Sequence, residues 1–272
     1  MQNEQFPLSP AELVRRMIDI AHGAADLVKN ASFSVEVKDG FSNIVTTSDL
    51  LAQRFLCEKL GKLIPSAGFL CEEENLCDTR EYTFVIDPID GTTNYARGIS
   101  DSAICVALLH GSEVMIGVVV RICDKDTFSA VKGEGAWRNG QPIHVADRPF
   151  ASSLLCTAMS LYDKSRARAC SDIIYDAYLQ CNDIRRLGSC ALELCYLAAG
   201  LCDLYFEIRV FPWDFAASSL ILSEAGGVLT GADGKAPPLD RETTLIGAAT
   251  RDNHQRLCEI VARHLNTSSC EE

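Results

Sequence analysis

The chain has 272 residues, 47% hydrophobic and 23% charged, a composition that supports a buried core and excludes disordered, collagen-like and coiled-coil designs. Its 37 acidic against 25 basic residues give a formal net charge of −12, a surface that repels nucleic acid and anionic lipid. No apolar run approaches the roughly 18 residues needed to span a bilayer. The opening MQNEQFPLSP has neither the basic flank nor the apolar stretch of a secretory signal, so a cytoplasmic protein with no membrane or nucleic-acid partner is expected.

In chain order, Ser9-Pro10-Ala11-Glu12 is a helix start, and Leu13, Met17, Ile20, Ala21, Ala24 and Val28 follow at helical spacing. VEVKDGFSNIVTT reads as a hairpin turning at Asp39-Gly40. Thr46-Thr47-Ser48-Asp49 can cap a second helix with Leu51, Phe55, Leu56 and Leu60 on one side. The segments AGFLC, YTFVID, AICVALL, EVMIGVVV and TFSAV read as strands, and the Asn139-Gly140 turn closes this β-rich stretch. Beyond residue 150 the elements alternate. SSLLCTA, DIRRL, DLYFEI, GGVLT and TTLIGAA read as strands; Ser165–Gln180, Ala191–Ala199, Trp213–Glu224 and Asp252–His264 read as helices. The pattern is a layered α/β (α+β) architecture, divided softly near 143–151 into an N-terminal α+β half, 1–145, and a C-terminal α/β half, 146–272, packed tightly as one unit.

The thirteen cysteines contain no C-x-x-C pair, and several, such as Cys105 and Cys195, sit in apolar strings. They read as buried reduced thiols, which agrees with a reducing compartment. The five histidines are scattered without ligand spacing.

The chemistry concentrates in Asp87-Pro88-Ile89-Asp90-Gly91-Thr92-Thr93, directly after an apolar strand. Pro88 fixes the backbone between two carboxylates, and Gly91 permits a tight turn into a short helix. Free N–H groups at such a turn attract phosphate, whereas adjacent carboxylates repel it unless cations lie between. That combination suits magnesium-assisted phosphoryl chemistry, and the alternative is an Asx-turn with a helix cap. Glu72-Glu73-Glu74 follow another short strand, and two of the three read as solvated loop. Asp214, at the start of the apolar helix FAASSLIL, and Asp49 are each also explicable as helix caps.

Together, NIVTTSD (43–49), FLCEEEN (69–75), DPIDGTTN (87–94) and WDFAASSLILSEAGG (213–227) resemble, in order and spacing, the signatures of the inositol monophosphatase family. The resemblance runs from about residue 10 to 264. It implies an α-β-α-β-α sandwich and a lithium-sensitive, Mg²⁺-dependent phosphomonoesterase that uses water activated by two or three ions. By the same resemblance, Glu72, Asp87, Asp90, Asp214 and the Ile89 carbonyl are metal ligands. Thr92 holds the nucleophilic water, with Asp49 acting through it, and Glu72 belongs to the catalytic set. Gly91 and Thr92 hold phosphate, while Gly188, Ser189, Cys190 and Glu207 contact the hydroxylated part of the substrate. Glu73 is expected behind the ligands.

The implied substrate is a small sugar or cyclitol phosphate, myo-inositol 1-phosphate first. Fructose 1,6-bisphosphate, 3′-phosphoadenosine 5′-phosphate and histidinol phosphate are the rivals on the same scaffold. A different class is a partner-binding protein in a transcription or RNA-processing complex. Relatives are commonly homodimers, so a dimer is expected. The sequence departs from the family at Cys71, Glu74, Arg97, Arg209 and Ser218-Ser219. Of these, Arg209, two residues from Glu207, is the cation that could meet a second phosphate, or simply face solvent.

Overall fold

In the computed structural model, which describes residues 8–39, 43–159 and 163–265, the first helix begins where its capping residues place it. Ser9 Oγ accepts the Glu12 N–H at 3.2 Å, and α1 runs Pro10–Lys29 with Leu13, Met17, Ala21, Ala24 and Val28 buried. A hairpin of β1 (Val35–Asp39) and β2 (Asn43–Thr46) follows; Gly40 of its expected turn lies outside the described residues. Helix α2 (Thr47–Leu63) buries Ala52, Leu56 and Leu60. Leu51, expected on that face, is 42% exposed, because a residue one position from Ala52 is rotated by about 100° around the helix.

Eight strands form the larger sheet: β3 (Gly68–Cys71), β4 (Cys77–Asp78), β5 (Tyr82–Asp90), β6 (Ala103–His110), β7 (Glu113–Arg121), β8 (Thr127–Val131), β9 (Gly135–Arg138) and β10 (Gln141–Pro142), in the order β10-β9-β8-β7-β6-β5-β3-β4. The period-2 alternation of a strand divides its side chains between two cores. Ile104, Val106 and Leu108 of β6 join α1 and α2, whereas Ala103, Cys105 and Ala107 turn to the opposite core. That second core holds α5 (Cys190–Ala198) and α6 (Pro212–Glu224). Helix α6 rides very close to β7: a Cβ on Gly117 would lie 2.3 Å from the Ala217 carbonyl oxygen, a clash that glycine avoids.

The smaller sheet has five strands in the order β12-β11-β13-β15-β14, namely β11 (Leu154–Thr157), β12 (Asp183–Arg185), β13 (Leu204–Val210), β14 (Val228–Thr230) and β15 (Thr243–Ala248). Tyr205 and Leu245 face the central helices, while Leu204, Phe206, Ile208 and Ile246 face α4 (Ala167–Tyr178) and α7 (Arg251–Leu265). The layers are therefore α1/α2, large sheet, α5/α6, small sheet and α4/α7, the expected α-β-α-β-α sandwich.

Several expected boundaries move. The helix read over 165–180 is a 3-10 turn at Lys164–Arg166 followed by α4, and the strand read in DIRRL stops at Arg185. The strand read as YTFVID continues to Asp90, with its pairing to β6 broken between Asp87 and Asp90, where Pro88 has no N–H to give the ladder. The twelve cysteines of the described residues are free thiols, seven of them buried. No helix among the described residues is long and apolar enough to cross a membrane.

Candidate active site

Parallel pairing of β3 with β5 sets Cys71 opposite Ile86, and the Glu72 N–H donates to the Ile86 carbonyl at 3.2 Å. This register carries Glu72 to the side of Asp87, where β3 ends and the pairing of β5 with β6 breaks. Beyond the break in β5, Gly91 turns the chain at φ +80 into the short helix α3 (Thr92–Arg97). A Cβ there would meet the Asp101 carbonyl oxygen at 2.8 Å, so both the conformation and the space call for glycine. Asp87 Oδ1 accepts the Ile89 N–H at 2.9 Å, which is the Asx-type contact weighed from the sequence.

Asp214 enters at the third position of α6 and accepts the Phe211 N–H at 2.7 Å, so it caps the helix and faces the same cavity. Asp49 is likewise a cap: its Oδ2 takes the Thr46 N–H at 2.8 Å and the Thr46 hydroxyl at 2.6 Å. Its Oδ1 lies 3.3 Å from Thr92 Oγ1, which is also 3.0 Å from the Ile89 carbonyl oxygen. A hydroxyl has one hydrogen, shared here between two acceptors, so its lone pairs remain to accept from another donor.

These segments surround a cavity of about 160 Å³. Glu72, Asp87, Ile89, Asp90, Gly91, Thr92, Gly188, Ser189, Cys190, Glu207 and Asp214 all line it. Asp49 does not; it is fully buried behind Thr92. Among the described residues, no three His, Cys, Asp or Glu side chains are drawn together tightly enough to hold a metal ion as they stand.

Burial is the largest influence on these acids. Desolvation, then Glu72 and Asp90, pushes Asp87 well above the usual carboxylate range, and Asp214 is raised in the same way. Burial lifts Asp90 to about 6, opposed by the hydrogen bond that Ser189 Oγ donates to it and by the Ala191 N–H at 2.8 Å. Burial lifts Glu207 to about 7, opposed first by the Tyr205 hydroxyl at 2.6 Å.

Three features, Glu193, Asn94 and Arg186, escaped the sequence reading. Glu193, alone among apolar residues in α5, is buried and raised well above its ordinary value by desolvation; it accepts the N–H groups of Leu187 at 2.5 Å and Gly188 at 3.1 Å. Its lone charge in CALELCYLAA was the available signal. Asn94 Nδ2 donates to the carbonyls of Asp101 and Leu187, each at 2.7 Å, tying α3 to the segment before α5. Arg186 lines the cavity from that same segment. Glu73, read as solvated loop or as lying behind the ligands, is buried at 4% exposure, its N–H donating to Gln53 Oε1 at 3.0 Å. Arg209 does not line the cavity; it pairs with Glu242 at 2.6 Å and lies over the Phe211 ring.

The sequence model described as the inositol monophosphatase family matches residues 9–266. The chain is 34% identical to the Nus factor SuhB of Xylella fastidiosa over 224 residues, 81% of this chain and 77% of that one. It is 34% identical to the fructose-1,6-bisphosphatase/inositol-1-monophosphatase of Thermotoga maritima over 202 residues, 74% of this chain and 77% of that protein. Among solved structures, a Thermotoga maritima IMPase superposes with a TM-score of 0.85 at 29% identity, covering 94% of this chain and 99% of its own.

Proposed function

The chain belongs to the inositol monophosphatase family, and from that premise we propose that it is a Mg²⁺-dependent phosphatase of a small hydroxylated phosphomonoester, myo-inositol 1-phosphate foremost. The observation that carries this reading is the meeting of Glu72, Asp87, Asp90 and Asp214 from three separate chain segments at one cavity, with the Asp49–Thr92 pair at its wall.

The donor set fits magnesium. Four carboxylates and the Ile89 carbonyl are hard oxygen ligands, and their raised proton affinities show that this wall favours neutralisation of its charge. Glu72, Asp87, Asp90, Asp214 and the Ile89 carbonyl would hold two or three magnesium ions, which would supply charge neutralisation to the phosphate and to an in-line displacement. The protein's own groups do the rest. Thr92 Oγ1, its hydrogen turned toward Asp49 and the Ile89 carbonyl, accepts a hydrogen bond from the attacking water and orients it. Asp49 takes up the proton through this contact, Glu72 completes the catalytic set, and Gly91 and Thr92 seat the phosphate. Ser189 and the Ala191 N–H hold Asp90 in place. Glu207 and the Gly188-Ser189-Cys190 turn bind the hydroxyls of the departing polyol.

A substrate panel tests the reading: inositol 1-phosphate, fructose 1,6-bisphosphate, 3′-phosphoadenosine 5′-phosphate and histidinol phosphate, each with Mg²⁺ and with EDTA. Metal-dependent phosphate release that disappears in Asp87→Asn and Asp214→Asn supports it; turnover retained in either variant refutes the site. The 34% identity to a protein named Nus factor SuhB favours a second reading, a partner-binding protein of a transcription complex. Absence of Mg²⁺-dependent release from all four compounds selects that reading.

A further inference from the structure

Seven charged side chains line the cavity: Glu72, Asp87, Asp90, Glu193, Glu207, Asp214 and the single base, Arg186. The neighbouring arginines are engaged. Arg185 binds Asp183 at 2.5 Å, and Arg209 binds Glu242. The Arg186 guanidinium has no ion pair or hydrogen bond to any described residue, and its charge reaches Glu207, opposing the effect of burial there. It stands on fixed backbone, because the next two residues donate to Glu193 and the Leu187 carbonyl is held by Asn94. Arg186 therefore presents a planar, bidentate cation at the Glu207 end of the cavity, on the segment that opens α5.

We propose that Arg186 is a specificity-determining residue that binds a second phosphate on the departing part of the substrate, so that the site selects a bisphosphorylated sugar over a singly phosphorylated polyol. The proposal rests on the phosphatase reading and reverses its order of substrates, placing a bisphosphorylated sugar ahead of myo-inositol 1-phosphate. A guanidinium fork matches phosphate oxygens in geometry and charge, whereas a neutral polyol leaves its charge unanswered as the cavity fills. This is the role that the sequence offered to Arg209, transferred to the arginine that the fold leaves free.

The test compares phosphate release from fructose 1,6-bisphosphate and from inositol 1-phosphate, with Mg²⁺, by wild type, Arg186→Gln and Arg186→Lys. The ratio of the two kcat/KM values is independent of the fraction of active enzyme. It should fall about tenfold to a hundredfold in Arg186→Gln, carried by KM for the bisphosphate, with partial recovery in Arg186→Lys. An unchanged ratio overturns the proposal and leaves the phosphatase reading intact. So does a wild type that hydrolyses inositol 1-phosphate but not the bisphosphate. A wild type that releases phosphate from neither removes both.

Discussion

Thr92 Oγ1 and Asp49 Oδ1 lie 3.3 Å apart although one opens α3 and the other caps α2. The carboxylate thus has two roles, since its other oxygen holds the Thr46 N–H and hydroxyl. Thr92→Val keeps the shape and removes the hydroxyl; kcat should fall about 10²- to 10⁴-fold with Tm little changed. Asp49→Asn should lower kcat comparably and also cost about 1 kcal/mol of stability through the weakened cap. Steady-state kinetics beside thermal melts separate the two. A Thr92→Val enzyme with wild-type kcat removes Thr92 from the chemistry.

Ser189 joins Asp90 to the start of α5: its hydroxyl donates to Asp90 and accepts the Leu192 N–H at 3.3 Å as the cap of that helix. In Ser189→Ala, Asp90 keeps the Ala191 N–H but loses its strongest orienting contact. The Mg²⁺ concentration for half-maximal activity should rise about 10- to 100-fold, with a cap loss near 1 kcal/mol. A magnesium titration of activity at saturating substrate measures the first effect, and an unshifted midpoint would show that Asp90 needs no such support.

Glu224, the acid of the EAGG string, ends α6 and accepts the N–H groups of Gly133 and Gly135, both at 2.8 Å. It ties the β8–β9 turn to the helix that carries Asp214. Glu224→Ala should destabilise the protein by about 1 to 3 kcal/mol, read as a lower urea midpoint at constant m-value. An unchanged midpoint would mean that water replaces the carboxylate at both glycines.

What the sequence made legible was whatever repeats locally. The caps at Ser9 and Thr46, the helical spacing along α1 and the unbroken apolar run of β6 are local signals, and so announce their elements. Pairing between distant segments does not. That β3 lies parallel to β5, so that Glu72 stands beside Asp87, is a property of the sheet; only the family's motif spacing pointed to it. The same limit hid Arg186, which looked like one of two strand arginines. Arg209 misled for the complementary reason: its closeness to Glu207 in sequence is real, but the register of β13 against β15 breaks between Glu207 and Val210, and Glu242 claims the guanidinium.

The acids of the cavity give the metal-free protein an unusual pH dependence. Glu207 rises from an ordinary 4.5 to about 7 and Asp90 from 3.8 to about 6, with Asp87 and Asp214 also raised, chiefly by burial. A carboxyl that holds its proton more tightly in the folded state contributes stability that is fully present below its unfolded value and is lost as pH rises through its folded value. In EDTA, stability should therefore decline between about pH 4 and 7, where globular proteins commonly approach their maximum. Glu207→Gln, which cannot ionise, should flatten the upper part of that decline. On the proposed function Mg²⁺ would bind the ionised carboxylates of the folded state, so its stabilisation should grow with pH over the same interval. Urea midpoints at pH 5 and 7.5, with EDTA and with Mg²⁺, test both effects; equal stabilisation by Mg²⁺ at the two pH values would place the ion away from these acids.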